Sequence, residues 1–278
     1  MADFDSWAIY YDLIHKGLPG EAEFYVGHAV KHGGPALEVG CGTGRIAIPM
    51  AMSGLEVTGL DNSGPMLSVC REKLAQVSPV SGQLTLVQAD MRDFNLKRRF
   101  PLALMTYRTF MHCLTPKEQL ACLACIHLHL EPGGELLCNL WAARPGTLAK
   151  FPPAFDEKAY QLVGATRIPG EDLSLVHMHN AWRDDYRQLL HERHWLQEKD
   201  LHGKLVHEEH LTMTRAWITP REMEHLVVRA GFDVVAVLGD FEGEQLGPDH
   251  MEMVWHLRKK RLIRQKRTLS HEAPEFSA

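Results

Sequence analysis

The stretch Leu37-Glu38-Val39-Gly40-Cys41-Gly42-Thr43-Gly44 sets the tightest limit on how this chain can fold. A short apolar run enters it, glycines follow at alternate positions, and a helical pattern from Ile46 to Ser53 leaves it. Glycine has no Cβ, so a strand-to-helix turn of this kind bends sharply and lets a ligand approach the backbone. Further on, Asp61 closes a second apolar run at Gly59-Leu60-Asp61, where a carboxylate can accept both hydroxyls of a ribose. Another acid, Asp90, stands at the tip of Val87-Gln88-Ala89-Asp90-Met91. Turn and acids in this order point to a nucleotide-like ligand. The glycines read G-x-G-x-G and lack the last spacing of the dinucleotide fingerprint, which argues against a nicotinamide or flavin.

Short apolar runs alternate with helical segments around this turn. Pro35–Val39, Leu55–Leu60, Leu84–Val87, Leu102–Thr106 and Glu135–Leu140 read as strands, with helices at Ile46–Ser53, Met66–Gln76 and Lys117–Leu130. That alternation predicts a parallel sheet covered on both faces. Thr115-Pro116-Lys117-Glu118 and Thr219-Pro220-Arg221-Glu222 each have the form of a capping box. Upstream, Tyr10 to His32 reads as helix interrupted at Gly17-Leu18-Pro19-Gly20.

After Trp141 the pattern changes. Residues 144–170 read as a loop with at most one short helix, and 173–217 as three antiparallel strands, with a hairpin turn at 200–204. The α/β pattern resumes with helix Arg221–Ala230 and strands Phe232–Leu238 and Met251–Leu257. The expected fold is α/β: a Rossmann-like, seven-stranded, mostly parallel sheet with helices on both faces, plus a small antiparallel β insertion. Its expected parts are N-terminal lid helices (1–34), a core (35–143 and 218–258), the insertion (144–217) and a basic tail (259–278). Inserted strands leave edges that need cover, so they are expected to roof an acceptor pocket or form a homodimer contact.

A chain of 278 residues buries enough surface to need no disulfides, and its six cysteines match no disulfide framework. Cys122 and Cys125 form a C-x-x-C with no second pair, read as thiols on one helix face. The acidic start Met1-Ala2-Asp3-Phe4-Asp5 lacks a basic n-region, and no apolar run reaches membrane-spanning length, so a cytoplasmic protein without membrane contact is expected. Net charge is −5, although Arg258 to Arg267 holds seven basic residues and no acid. The acidic remainder argues against a nucleic-acid partner, and the basic run reads as a solvated extension.

The motifs resemble a known family. Glu38-Val39-Gly40-Cys41-Gly42-Thr43-Gly44 is similar to motif I of class I S-adenosylmethionine (SAM)-dependent methyltransferases, Gly59-Leu60-Asp61 to motif II and Ala89-Asp90-Met91 to motif III. Leu130-Glu131-Pro132-Gly133-Gly134 resembles the turn before their fifth strand. The resemblance implies SAM as cofactor and a cofactor site that includes Glu38, Gly40, Gly42 and Gly44. Within it, Gly40 and Gly42 face the methionine portion and Asp61 holds the ribose. Asn62 and Met66 line the adenine pocket, with Asp90 near the adenine amino group and Met91 beside it. Ile9-Tyr10-Tyr11-Asp12 resembles the Y-D helix of small-molecule methyltransferases, which brings Tyr11 to the methionine end and lids the acceptor.

Beyond the fourth strand, Tyr107-Arg108-Thr109-Phe110-Met111-His112 lies at the ligand-binding end of the sheet. Tyr107 is placed with the cofactor. Arg108 either holds the acceptor or the SAM carboxylate, or pairs at the surface. His112 is either a general base or a core histidine. His177-x-His179 and His207-x-x-His210 invite a metal, but no spacing completes a recognised site, and none is expected. The resulting expectation is methyl transfer to a small-molecule acceptor, an amine ahead of a hydroxyl, by a monomer or homodimer. An RNA or protein methyltransferase using the basic tail, and a SAM-binding partner without turnover, stand as alternatives.

Overall fold

Strand and helix alternate through the structure as the apolar pattern requires. The computed structural model describes residues 4–77 and 79–261. A helical turn α1 (Tyr11–Ile14) and helix α2 (Glu21–His32) precede β1 (Ala36–Val39), α3 (Ala47–Met52), β2 (Glu56–Asp61), α4 (Gly64–Gln76) and β3 (Gln83–Gln88). Then come β4 (Phe100–Met105), a 3-10 turn (Thr109–His112), α5 (Pro116–His129) and β5 (Leu130–Trp141). A helical turn α6 (Pro145–Leu148) leads into β6 (Gln161–Arg167), β7 (Leu173–Asp184), β8 (Leu189–Asp200) and β9 (Leu205–Ala216). The chain closes on α7 (Pro220–Arg229), β10 (Phe232–Leu238) and β11 (Glu252–Lys259).

The main sheet has the order β10-β11-β5-β4-β1-β2-β3. Its five central and outer strands β1–β5 pair in parallel, while β11 runs antiparallel to both β5 and β10. Neighbouring residues on each strand point to opposite faces. Ala36, Leu102, Leu104 and Leu137 therefore pack with Tyr25 and Ala29 of α2 and Met50 of α3. Leu37, Ala103, Met105 and Leu136 pack with Leu123 and Ile126 of α5 and Met223 and Val227 of α7. Both expected capping boxes form: Thr115 and Thr219 accept the N–H of Glu118 and Glu222, whose side chains reach back. Cys122 is buried on α5, and Cys125 Sγ bonds to Arg92 O.

A separate antiparallel sheet, β6-β7-β8-β9, carries the insertion. It has four strands where the pattern predicted three. The extra one, β6, falls in the stretch read as loop: Leu162 and Val163 are exposed, and the register shifts before Gly164. An exposed edge strand interrupted by glycine shows no clear alternation. Trp7, Ala8 and Tyr10 fill the space between this sheet (Leu175, Leu196, Leu211) and Met66 at the start of α4.

The basic run is also less detached than expected. Lys259 is still in β11, its ammonium donating to His127 O and Leu130 O, and Arg258 pairs with Glu135. Residues 262–278, with the rest of the run, lie outside the described residues. Among the described residues no helix is long and apolar enough to cross a membrane.

Candidate active site

The glycine turn is locked from below by the strand that follows it. Gly40 and Cys41 donate their N–H groups to Leu60 O at 2.7 and 3.0 Å. At the end of β2, Asp61 Oδ2 accepts the Gly42 N–H and Oδ1 the Ser63 N–H, both at 2.9 Å. Burial raises the Asp61 carboxyl above its ordinary value, against the pull of these backbone donors. Gly40, Gly42 and Gly44 all have positive φ, the conformation glycine tolerates best. A Cβ on Gly40 would meet Thr109 at 2.4 Å, whereas one on Gly42 would meet nothing within 4 Å. The open side of Gly42 faces a cavity of about 240 Å³.

The N-terminal segment closes over this turn through side chains. Asp12 accepts from Thr43 Oγ1 at 2.6 Å and from Lys73 of α4 at 2.7 Å, and Ser63 Oγ donates to Asp5 at 2.8 Å. Tyr11 and Phe4 thereby reach the cavity wall. A buried acid, Glu21, accepts from Arg45 at 2.5 Å and from the Tyr107 N–H at 2.8 Å, with the Arg45 guanidinium over the Tyr107 ring. Tyr107 and Arg108 both sit at positive φ, and this network holds them there. Arg108 bonds bidentately to Glu252 of β11, whose other contact is Asn139 Nδ2 at 3.0 Å.

The inserted sheet forms the opposite wall. Glu192 and His194 of β8 and Met213 and Arg215 of β9 line the same cavity. Arg215 Nη2 lies 2.6 Å from Glu192 Oε2, and His179 Nε2 lies 3.1 Å from Oε1. Burial opposes ionisation of Glu192, yet Arg215 and His179 hold its carboxyl down at about 2. Burial pushes the imidazoles of His15 and His112 down to about 4, with Arg215 adding to both. His194 falls to about 2, again chiefly by burial. All three rings are neutral at neutral pH.

The cavity thus gathers Tyr11, Gly40, Gly42, Asp61, Asn62, Met66, Asp90, Met91, Tyr107, Arg108 and His112. Glu38 and Gly44, which the motif had put beside the cofactor, lie outside its lining. Glu38 is buried beneath the turn, accepts from Thr106 Oγ1 at 3.0 Å, and is raised to about 8 by burial. Gly44 makes room for α4: a Cβ there would come within 2.4 Å of Cys70 Sγ and 2.9 Å of Ile48. Gly44→Ala should therefore cost about 2–4 kcal/mol, through overpacking and a positive φ (83°). A denaturant melt matching the parent would refute that packing role. Asp90 is clamped by Arg92 at 2.6 Å, which lowers its carboxyl from the ordinary value.

Sequence reasoning missed His15, Arg92, Glu192, His194 and Arg215. A usable signal existed for the last three: Glu192-x-His194 and Met213-x-Arg215 share a strand face by the two-residue period. The histidines singled out instead divide, with His177 and His179 flanking Glu192 and His194, and His207 and His210 exposed.

Residues 36–134 match the family described as a methyltransferase domain. The chain is 26% identical to the cypemycin N-terminal methyltransferase of a Streptomyces species, covering 90% of this chain and 94% of that one. It is 27% identical to the dTDP-3-amino-3,6-dideoxy-alpha-D-glucopyranose N,N-dimethyltransferase of Streptomyces fradiae, covering 85% and 87%. The solved structure of SAM-bound CalS10, an amino pentose methyltransferase from Micromonospora echinaspora, aligns with a TM-score of 0.63. That alignment has 20% identity and covers 88% of this chain and 93% of CalS10, a likeness of fold. The residues present suit SAM: Gly42 leaves the cradle open toward the cavity, and Asp61 stands at its edge. Residues 36–134 thus form a methyltransferase domain, and the chain as a whole is similar in sequence and in sheet order to SAM-dependent methyltransferases.

Proposed function

We propose that the methyl acceptor is a small-molecule amine received between the glycine turn and the inserted sheet. One observation carries this reading: among the described residues, the acceptor-side wall has no strong base to spare. His15 and His112 are held near 4, and Glu192 is committed to Arg215 and His179. An imidazole with so low a pKa is a weak proton acceptor for a hydroxyl. An amine needs none in the bond-forming step, because its neutral form brings its own lone pair. The N-terminal and amino-sugar specificities in the relatives' names support the same choice.

The bound cofactor supplies a methyl group on a sulfonium. The chain's part is to align acceptor and methyl and to exclude water. Gly40, Gly42 and Asp61 seat the cofactor. Tyr11 and Phe4 close the near side, fixed by Asp12 and Asp5. Glu192, His194, Met213 and Arg215 form the far wall, so the insertion serves the acceptor.

The test is to incubate the enzyme with SAM and paired amino sugars and hydroxyl analogues, reading demethylated cofactor by mass spectrometry. Only the amines should turn over. His112→Ala should cost about tenfold or less. His112 is neutral above its depressed pKa of about 4, so its titration adds no inflection near neutral pH. The rate should instead rise with pH as the amine loses its proton. Turnover of a hydroxyl, with a loss on His112→Ala of about a hundredfold or more that high pH relieves, would overturn the proposal.

A further inference from the structure

The inserted sheet buries more imidazole nitrogen than its hydrogen bonds use. His179 of β7 sits directly across from His194 of β8, and Glu192 lies two residues before it on the same face. The three offer ligand atoms that all lie within 4.8 Å of one another. His194 is 5% exposed; its Nδ1 is 2.8 Å from His177 Nε2, and its buried Nε2 has no hydrogen-bond partner among the described residues. A polar nitrogen buried in this way carries a real cost, which a bound ion would offset.

We infer that His179, Glu192 and His194 form a binding site for one divalent transition-metal ion. Two imidazoles and a carboxylate select a borderline ion such as zinc or cobalt over magnesium or calcium. The surroundings have the form of an outer shell. His177 engages the second nitrogen of His194, and Arg215 holds Glu192 Oε2 at 2.6 Å, leaving Oε1 toward His179. Ligating histidines and carboxylates are commonly oriented in this way. The Arg215 charge opposes the cation and weakens the site. Glu192 and His194 also line the cavity. Open coordination positions there would hold an oxygen of the amine acceptor other than its reacting atom, a role that rests on the function proposed above. Metal binding itself does not rest on it.

A second group, Asp240, Glu244 and His250, lies on a loop after β10. Asp240 Oδ1 there already accepts three backbone N–H groups, so this group serves as the control. The experiment titrates untagged, chelator-dialysed full-length protein with Co²⁺ alone, reading the visible ligand-field band and metal per chain. One saturable equivalent is expected, unchanged in His250→Ala and lost in His179→Ala, Glu192→Gln and His194→Asn. His177→Phe should weaken it by about 10- to 100-fold. Thermal melts run alongside identify any variant that fails to fold, and the isosteric Glu192→Gln keeps the test decisive. No saturable binding by the parent, or equal binding by folded Glu192→Gln and His194→Asn, overturns the inference. No acceptor is used, so the outcome is separate from that of the amine proposal.

Discussion

Asp61→Ala should weaken SAM binding by tens- to hundreds-fold. A charge-assisted bond to a ribose hydroxyl contributes about 1.5–3 kcal/mol, which converts to that range of affinity. The structure adds a second contribution. Asp61 accepts the N–H groups of Gly42 and Ser63, so its loss also frees the turn that seats the cofactor. The alanine variant should therefore lose about 1–2 kcal/mol of stability as well as affinity. Asp61→Asn separates the two, since its amide oxygen still accepts one backbone donor while the charge is gone. Gly42→Val tests the same seat from the other side. Its Cβ would meet no atom of the described residues within 4 Å, at a position that lines the cavity and at a φ of 52° that a branched residue resists. Calorimetry giving parental SAM affinity for both Asp61→Ala and Gly42→Val would sink the placement of the cofactor.

Glu252→Ala should strongly destabilise the protein. Its carboxylate, 10% exposed, is gripped by Arg108 and by Asn139, whose Oδ1 in turn accepts from Tyr25 Oη at 3.0 Å. Removing one partner of a largely buried ion pair leaves the other charge uncompensated, at about 3 kcal/mol. For a chain of this size that is a fall in Tm of roughly 6–12 °C. Arg108 also sits at φ 66° in the loop over the cavity, so SAM affinity should fall with stability. Arg108→Ala strands the more deeply buried carboxylate and should cost at least as much. Because the pair acts as a unit, the double variant should cost less than the sum of the singles. Additive losses in a melt-based double-mutant cycle would show that the two charges do not depend on each other. The sequence left Arg108 with a choice of ligand contact or ion pair. The structure shows the ion pair at the cavity wall, where it can still touch a ligand.

The α/β core, both helix starts and the glycine turn were legible because each rests on neighbours in sequence. Apolar periodicity sets strands and helices, Thr-Pro-x-Glu sets a cap, and alternating glycines permit positive φ from Gly40 to Gly44. Asp61 and Asp90 were legible for the same reason, as acids closing apolar runs. What only the tertiary structure decided depends on residues far apart in the chain. Glu252 reaches Arg108 across 144 residues, and Glu21 reaches Tyr107 across 86. Glu38 and Gly44 carry motif letters, yet lie behind the cavity lining, where Glu38 accepts from Thr106 and Gly44 leaves room for Cys70 and Ile48. On the inserted sheet, periodicity marks which side chains share a face but not which face meets the cavity. That choice follows from Trp7, Ala8 and Tyr10 wedging the N-terminal segment against the sheet, which turns Glu192, His194 and Arg215 inward. Burial then makes the imidazoles neutral, a property of the packed surroundings that no local pattern encodes.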